Sequence, residues 1–309
     1  MGKYIGKRLL QMIPLLLGIT FLVFLLLYIA PGDPAAKRLT SQGIAVTQEA
    51  IDHMREQMGL NRPFLVQYGD WLWNTLHLNL GDSYRDGLPV VQKLGNCIGN
   101  TVVLAVSSLL LSVLVAVPLG VLSAVRQDSV LDHVVRMLTF VGNSMPNFLI
   151  SILLMYFLCI KLDLFPVIAS GSVQGLAMPT IALAIPMMSR FIRQIRAEVL
   201  EEMGKDYVTG MAARGVKNNW ILFRNVLHNT LPALITIVGL SIGTLMGGSV
   251  VIESIFSWPG LGKLVMDSIT ARDYPTIQGF VLLIAVIYVV INLLTDISYH
   301  LIDHRVELN

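Results

Sequence analysis

Long uncharged apolar runs, divided by short stretches that collect most of the charge, organise this chain. A bilayer core is about 30 Å thick, so a helix that crosses it needs about 20 apolar residues. Six stretches qualify: Leu9–Ala30, Thr101–Val125, Met137–Ile160, a Pro-interrupted stretch within Val167–Ser189, Leu231–Ile252 and Thr276–Thr295. The fourth holds Pro179 and Pro186 and follows Gly171 and Gly175. Proline is tolerated in a membrane helix whose neighbours satisfy the freed carbonyls. The span is therefore placed at 174–190, with a buried re-entrant segment as the alternative. The first run opens with Lys3, Lys7 and Arg8, as a secretory leader would. Its 22 uncharged residues outlast a leader's apolar core, and it ends in Pro31-Gly32-Asp33-Pro34 rather than a small-x-small cleavage site. It reads as a retained first helix.

The expectation is an all-α membrane protein forming one transmembrane domain over 1–309, with about six spans. These are 9–30, 101–125, 137–160, 174–190, 231–252 and 276–295. Residues 31–100 and 253–275 lie outside the cell membrane, and 191–230 lies in the cytoplasm. Orientation follows the positive residues near span ends. Under this layout one side carries Lys3, Lys7, Arg8, Arg126, Arg136, Arg305 and seven residues between spans four and five. Those seven are Arg190, Arg193, Arg196, Lys205, Arg214, Lys217 and Arg224. Most positive residues of the opposite side sit in the long 31–100 segment, which crosses with little regard to charge. Both termini are thus expected in the cytoplasm. Trp71, Trp73 and Tyr84 among turn signals make 31–100 a small folded cap with short helices, one of them near Gln48–Met58.

Composition agrees: 54% hydrophobic and 14% charged, against about 25% charged in a soluble domain. A net charge of +2 gives no reason to expect nucleic acid; the bilayer is the expected environment. The chemistry expected of this chain is narrowed by what is missing. No phosphate-cradling G-x-x-x-x-G-K-[ST] occurs; Gly260-Leu261-Gly262-Lys263 fails on spacing and is followed by Leu264. No metalloprotease or esterase motif is present, and two cysteines with scattered histidines give no metal set. No catalytic residue, resident cofactor or metal is expected. The span interiors hold no ionisable residue, whereas an ion-coupled carrier usually shows one.

Three stretches stand out. In Asp206–Gly215 the small residues Gly210, Ala212, Ala213 and Gly215 let another surface approach a short helix, and Gly215 suits a left-handed stop. From the residues alone, an ordinary helical hairpin in a loop fits equally. In span five Gly239, Gly243 and Gly247 repeat every four residues and share a face that admits a close neighbour, either within this subunit or in a partner. Asn143-Ser144-Met145-Pro146-Asn147 interrupts span three and suggests a pathway or a protein-facing break. At the outer end of span five, Glu253 and Trp258 read as membrane-edge anchoring or as part of a gate.

The cytoplasmic stretch resembles the coupling loop of ABC-importer permeases, whose pattern is E-A-A, three residues, G, about nine residues, then I-x-L-P. Gly215 and Leu231-Pro232 match its later landmarks. Thr209, Gly210 and Met211 stand at the E-A-A positions, so the acidic residue is missing. The peptide/nickel subgroup has A-x-A-[KR]-G there, and Met211-Ala212-Ala213-Arg214-Gly215 is similar with its first Ala replaced by Met211. Tyr68-Gly69-Asp70-Trp71-Leu72, Leu78–Ser83, Asn143–Phe148, Val251–Gly262 and Arg272-Asp273-Tyr274-Pro275 also resemble segments of these permeases. The resemblance implies a type I ABC importer permease fold in a bacterial inner membrane. It implies a second, homologous permease subunit, two ATPase subunits that bind ATP and Mg, and an external substrate-binding protein. Asp206, Tyr207, Gly210, Ala212, Ala213, Arg214 and Gly215 would then form the ATPase-coupling helix. Asn143, Met145, Asn147, Gly239, Gly243 and Gly247 would line the pathway or interface. Glu253, Trp258, Arg272 and Asp273 would serve the external gate or binding-protein docking. The implied cargo is a nickel or other metal chelate or a short peptide, with Trp71-Leu72-Trp73 and Ser144–Phe148 leaning to the metal branch.

Overall fold

The computed structural model describes residues 2–302; Arg305, counted above on the positive side, lies outside them, as do the side chains of Lys3, Lys7 and Arg8. Among the described residues the regular structure is helical, apart from an isolated bridge between Asp82 and Pro89. Helix α1 (Gly2–Ile29) is followed by three short helices, α2 (Pro34–Ser41), α3 (Gln48–Gln57) and α4 (Phe64–Leu76). Then come α5 (Val90–Val125), α6 (Val130–Ser144) and α7 (Asn147–Leu154), the last running on as a π-helix over Met155–Lys161. Helix α8 (Val173–Met203), α9 (Asp206–Ala213) and α10 (Asn218–Trp220) lead through a π-helical stretch, Ile221–Val226, into α11 (Leu227–Ile255). Helices α12 (Leu261–Ala271) and α13 (Tyr274–Ile302) complete the order.

The helix starts follow from capping. Asp33, Thr47, Ser129 and Ser172 each accept a backbone N–H of the first turn of α2, α3, α6 and α8. Pro34 takes the first position of α2, where its missing N–H costs nothing. Five helices are long and apolar enough to cross a bilayer: Leu10–Ile29, Val90–Val125, Val173–Met203, Asn218–Gly243 and Tyr274–Thr295. The pair Val130–Ser144 and Asn147–Lys161, bent by 105°, makes a sixth if it is one span.

Three elements differ from the sequence layout. The third span is not one rod: Met145, which precedes Pro146, is pushed to extended backbone (φ −85°, ψ 132°), and the helix turns sharply there. Helix α5 starts at Val90, well before 101, and at about 1.5 Å per residue its 36 residues far exceed the apolar core. Helix α8 does not stop at 190 but runs on to Met203, with Pro179 and Pro186 carried inside it.

The chain divides into two compact units. In one, residues 2–101 and 259–290, the start of α5 does the packing: Val90 and Leu94 are buried with Leu261 of α12 against Leu80, Leu264, Phe280 and Ile284. Phe21, Phe24 and Tyr28 of α1 meet Phe64, Tyr68 and Trp71 of α4 with ring centroids 5.2 to 6.3 Å apart, in the edge-to-face range.

In the other unit, residues 102–258 and 291–302, α8 is the central element. Small and hydroxyl residues let its neighbours approach, as expected where lipid removes any hydrophobic drive between helices. Ser107 and Thr180 share a hydrogen bond of 3.0 Å, and Ser112 donates to the Ala184 carbonyl at 3.3 Å. A side-chain carbon added at Gly142 of α6 would collide with the Ser189 hydroxyl of α8. Nearer the helix ends, Asp132 of α6 is fully buried and takes a two-pronged pair from Arg196 of α8, both contacts 2.7 Å. Ser123 and the Asp128 N–H also donate to it. Breaking a buried pair by removing one partner costs about 3–5 kcal/mol. Asp132→Ala is therefore expected to lower the thermal midpoint of the detergent-solubilised protein sharply. Asp132→Leu with Arg196→Met should recover much of that loss, since it leaves no orphaned charge.

Candidate functional site

The stretch between α8 and α11 is built around one carboxylate. Glu202, in the last turn of α8, is 6% exposed. Such a group must find donors, because an unpaired buried charge is too costly to keep. Tyr207 Oη and Asn229 Nδ2 each donate to it at 2.8 Å, and Lys205 Nζ closes an ion pair. Asn229 Nδ2 also reaches Tyr207 Oη at 3.3 Å. The carboxylate thus ties the end of α8 to the start of α9 and the start of α11. Glu202 holds the ammonium of Lys205 above its usual range. Burial, and then donation to Glu202, pushes the Tyr207 phenol up.

Beyond that clamp, α9 has no buried residue. Asp206 opens its first turn, where a negative charge suits the helix dipole. Gly210, Ala212, Ala213, Arg214 and Gly215 are all exposed, and nothing lies within 4 Å of a side-chain carbon added at Gly210 or Gly215. Gly215 has φ +83°, the left-handed stop its sequence position suggests, and Gly215 N–H and Val216 N–H return to the Ala212 and Met211 carbonyls. Trp220 and Phe223 follow, 55% and 67% exposed, with Arg224 stacked on Trp220 at 5.0 Å. A knob of small side chains, flanked by exposed aromatics, stands on a rigid base.

The residues read as pathway or interface do not behave alike. Asn143 is exposed, while Met145 and Asn147 are half-buried at the bend. The glycine face of α11 divides. A carbon added at Gly239 would lie 2.8 Å from Thr295 of α13, so that end packs within the chain; Gly243 is half-buried; Gly247 is exposed with nothing within 4 Å.

The residues read as external are mostly internal. Glu253 and Trp258 are 0% and 2% exposed, and the Trp258 N–H closes a turn on the Glu253 carbonyl at 2.9 Å. Asp273 is fully buried and accepts from Ser83 Oγ (2.6 Å), Tyr84 N–H (2.8 Å) and Thr276 Oγ1 (2.6 Å), with Lys93 Nζ at 3.6 Å. Burial, and next the Asp273 charge, push the Tyr84 phenol up to about 12. Arg272 ends α12 in left-handed backbone (φ +55°), its guanidinium 2.5 Å from where Gly32 would carry a side chain. Glu253, Trp258 and Asp273 are thus not presented to an outside partner in this conformation; Asp273 staples the cap to the base of α13.

Sequence reading missed Glu202 and Asn229, the pair that gives the α9 segment its base. Glu202 sits among Glu198, Glu201 and Asp206, and nothing local sets it apart from a solvated charge. It missed Ser83 and Lys93 for the same reason: their partner is distant in sequence.

Comparison with known proteins bears on this arrangement. Residues 116–308 match the family described as "Binding-protein-dependent transport system inner membrane component", and residues 1–105 match the corresponding N-terminal family. The oligopeptide transport system permease protein AppB of Bacillus subtilis is 38% identical, over 99% of this chain and 100% of the relative. The metal-staphylopine import system permease protein CntB of Staphylococcus aureus is 36% identical, over 99% of each. Among solved structures, inward-facing conformations of the MetNI methionine ABC transporter superpose with a TM-score of 0.58 at 20% identity, over 69% of this chain and 97% of that one.

Hydrogen bonds to a charged acceptor contribute about 1.5–3 kcal/mol each. Glu202→Ala is therefore expected to speed amide hydrogen exchange over 206–213 roughly tenfold or more. Glu201→Ala, at the exposed neighbour, should leave it nearly unchanged.

Proposed function

The chain belongs to the family of binding-protein-dependent transport system inner membrane components, and on that premise we propose that it is one of two pore-forming permease subunits of an ATP-driven importer. The observation that carries this reading is the exposed α9, standing on the Glu202 clamp at the foot of α8 and α11. A helix of eight residues is too short to hold its shape alone in water, so its form depends on that base. Small side chains at Gly210, Ala212, Ala213 and Gly215 leave room for the groove of an ATPase subunit, and Asp206, Tyr207 and Arg214 complete the docked segment. ATP and Mg are bound by the ATPase partners. Binding of ATP favours one arrangement of those partners. A docked α9 passes the displacement to α8 and α11, biasing the pore between its outward- and inward-open states.

In this reading Asn143, Met145 and Asn147, at the break between α6 and α7, face the pathway. Gly243 and the exposed Gly247 take the second permease subunit, while Gly239 packs inside the chain. The binding protein docks on the cap, where Arg272 is half-buried beside the fully buried Asp273. Both termini lie in the cytoplasm. The cargo is a short peptide or a nickel or other metal chelate. Relatives named for oligopeptide and for metal-staphylopine import stand at similar identity, so likeness gives no ground for preferring the metal branch.

An unpaired charge at the centre of an interface costs at least about 2 kcal/mol, some thirtyfold in docking. Gly215→Asp is therefore expected to leave membrane insertion intact while cutting substrate uptake and the stimulation of partner ATP hydrolysis by tenfold or more. Wild-type uptake in that variant would remove the coupling role. For the cargo, radiolabelled nickel uptake is measured in cells with and without the chain, with and without excess dipeptide. Uptake restored by the chain and indifferent to dipeptide assigns a metal chelate; loss of growth on dipeptides with no nickel effect assigns a peptide.

A further inference from the structure

Beside the Asp132–Arg196 pair, α6 and α8 flank an open concavity of about 530 Å³ lined by His133, Arg136, Met137 and Phe140 of α6 and Arg193 and Arg196 of α8. Its lining sorts along the helices. Helix α6 runs from its loop into the apolar region and α8 runs out of it, so the arginines collect at one end. Phe140 lies a turn beyond Arg136, about 6 Å deeper at the rise of an α-helix. Met137 and Phe140 are each 67% exposed, and Val134, Leu138 and Val141 beside them are exposed as well. This face of α6 is an apolar wall with cations at its rim.

Those cations are not all used. Arg196 gives Nε and Nη2 to Asp132. His133 Nδ1 lies 2.8 Å from the Ser129 carbonyl oxygen. Arg136 and Arg193 are exposed and, among the described residues, take part in no ion pair. Cations sharing one cavity repel each other unless an anion sits among them. An inorganic anion would answer the charge but leave the apolar wall bare. We propose that the concavity binds an anionic phospholipid, its phosphate between Arg136 and Arg193 and an acyl chain along Met137 and Phe140. The planar guanidinium matches a phosphate in two-pronged fashion, and basic pockets between spanning helices suit lipid headgroups. Helix α8 continues without a break from Arg193 to Glu202, so the lipid braces the helix that carries the coupling segment.

The test uses the full-length chain in mild detergent with equal amounts of palmitoyl-oleoyl phosphatidylglycerol and phosphatidylcholine, retained lipid being counted by native mass spectrometry. One basic residue near an anionic surface contributes about a factor of five, so two give a preference for phosphatidylglycerol of roughly thirtyfold. Arg136→Gln with Arg193→Gln should abolish that preference, and Arg136→Lys with Arg193→Lys should keep one. Both side chains are exposed, and a thermal midpoint equal to that of the unsubstituted protein checks the fold. Equal retention of the two lipids, or an undiminished preference in the glutamine variant, overturns the proposal. Displacement of the lipid by inorganic phosphate alone would mark a free-anion site and also overturn it. So would a glutamine variant that loses substrate uptake while still retaining phosphatidylglycerol, since the arginines would then serve the solute path. Apart from that uptake arm, lipid retention is read without transport, so failure here leaves the importer reading untouched.

Discussion

The exposed helix α9 depends on the burial of one carboxylate, that of Glu202. Helix α9 has eight residues and no buried side chain, well short of the dozen or so at which an isolated helix becomes marginally stable. Ordering each backbone residue costs about 1–2 kcal/mol. The helix exists because its first turn is fastened and its last turn is stopped. Glu202 fastens it through Tyr207 and Lys205, and Gly215 stops it in a backbone conformation other residues adopt only with strain. The fastening is selective because a buried carboxylate that loses its donors costs more than any of the contacts it forgoes. The exposed surface beyond can then be small and featureless, since it contributes nothing to holding itself up.

Buried carboxylates recur wherever loops must be held to helices. Asp132 joins α6 to α8 and receives the loop amide of Asp128. Asp273 collects a hydroxyl and an amide from the cap, another hydroxyl from α13, and the nearby ammonium of Lys93. In each case the acid lies near a helix end rather than mid-span, where water no longer competes freely but donors from loops are within reach. Dispersion and small-residue packing hold the spans, while charge-assisted hydrogen bonds hold their ends.

That division also explains what the sequence disclosed. The spans were legible because a bilayer excludes charge over a fixed length, and a run of about 20 apolar residues has few other uses. The left-handed stop at Gly215 was legible because few residues but glycine serve there. The break at Met145-Pro146 was legible as a break, but its 105° angle was not. The extension of α5 ahead of its apolar run was not legible, because a helix leaving the membrane changes its lining and not its hydrogen bonding. The repeat of Gly239, Gly243 and Gly247 identified a face and could not name its neighbour, which at Gly239 is Thr295. Asn229 meets Glu202 across 27 residues, and Ser83 meets Asp273 across 190, with no periodicity to announce either.

Two of these carboxylates lie on or against the same helix. Asp132 binds Arg196, and Glu202 lies less than two turns further along α8. Separating α6 from α8, or α9 from α8, orphans a buried charge at about 3–5 kcal/mol. That exceeds the 1–3 kcal/mol typical of coupling between distant sites. A push of that size on α9 therefore meets less resistance in moving α6, α8 and α9 together than in parting any two of them. The helical ladder of this unit is interrupted at the bend at Met145-Pro146 and in the π-helical stretches Met155–Lys161 and Ile221–Val226. Both π-stretches adjoin helices packed in this unit, and π-turns of this kind concentrate where proteins do their work. In this unit the buried charges that have found donors mark what is held together, and the interrupted ladders mark where the backbone departs from the regular helix.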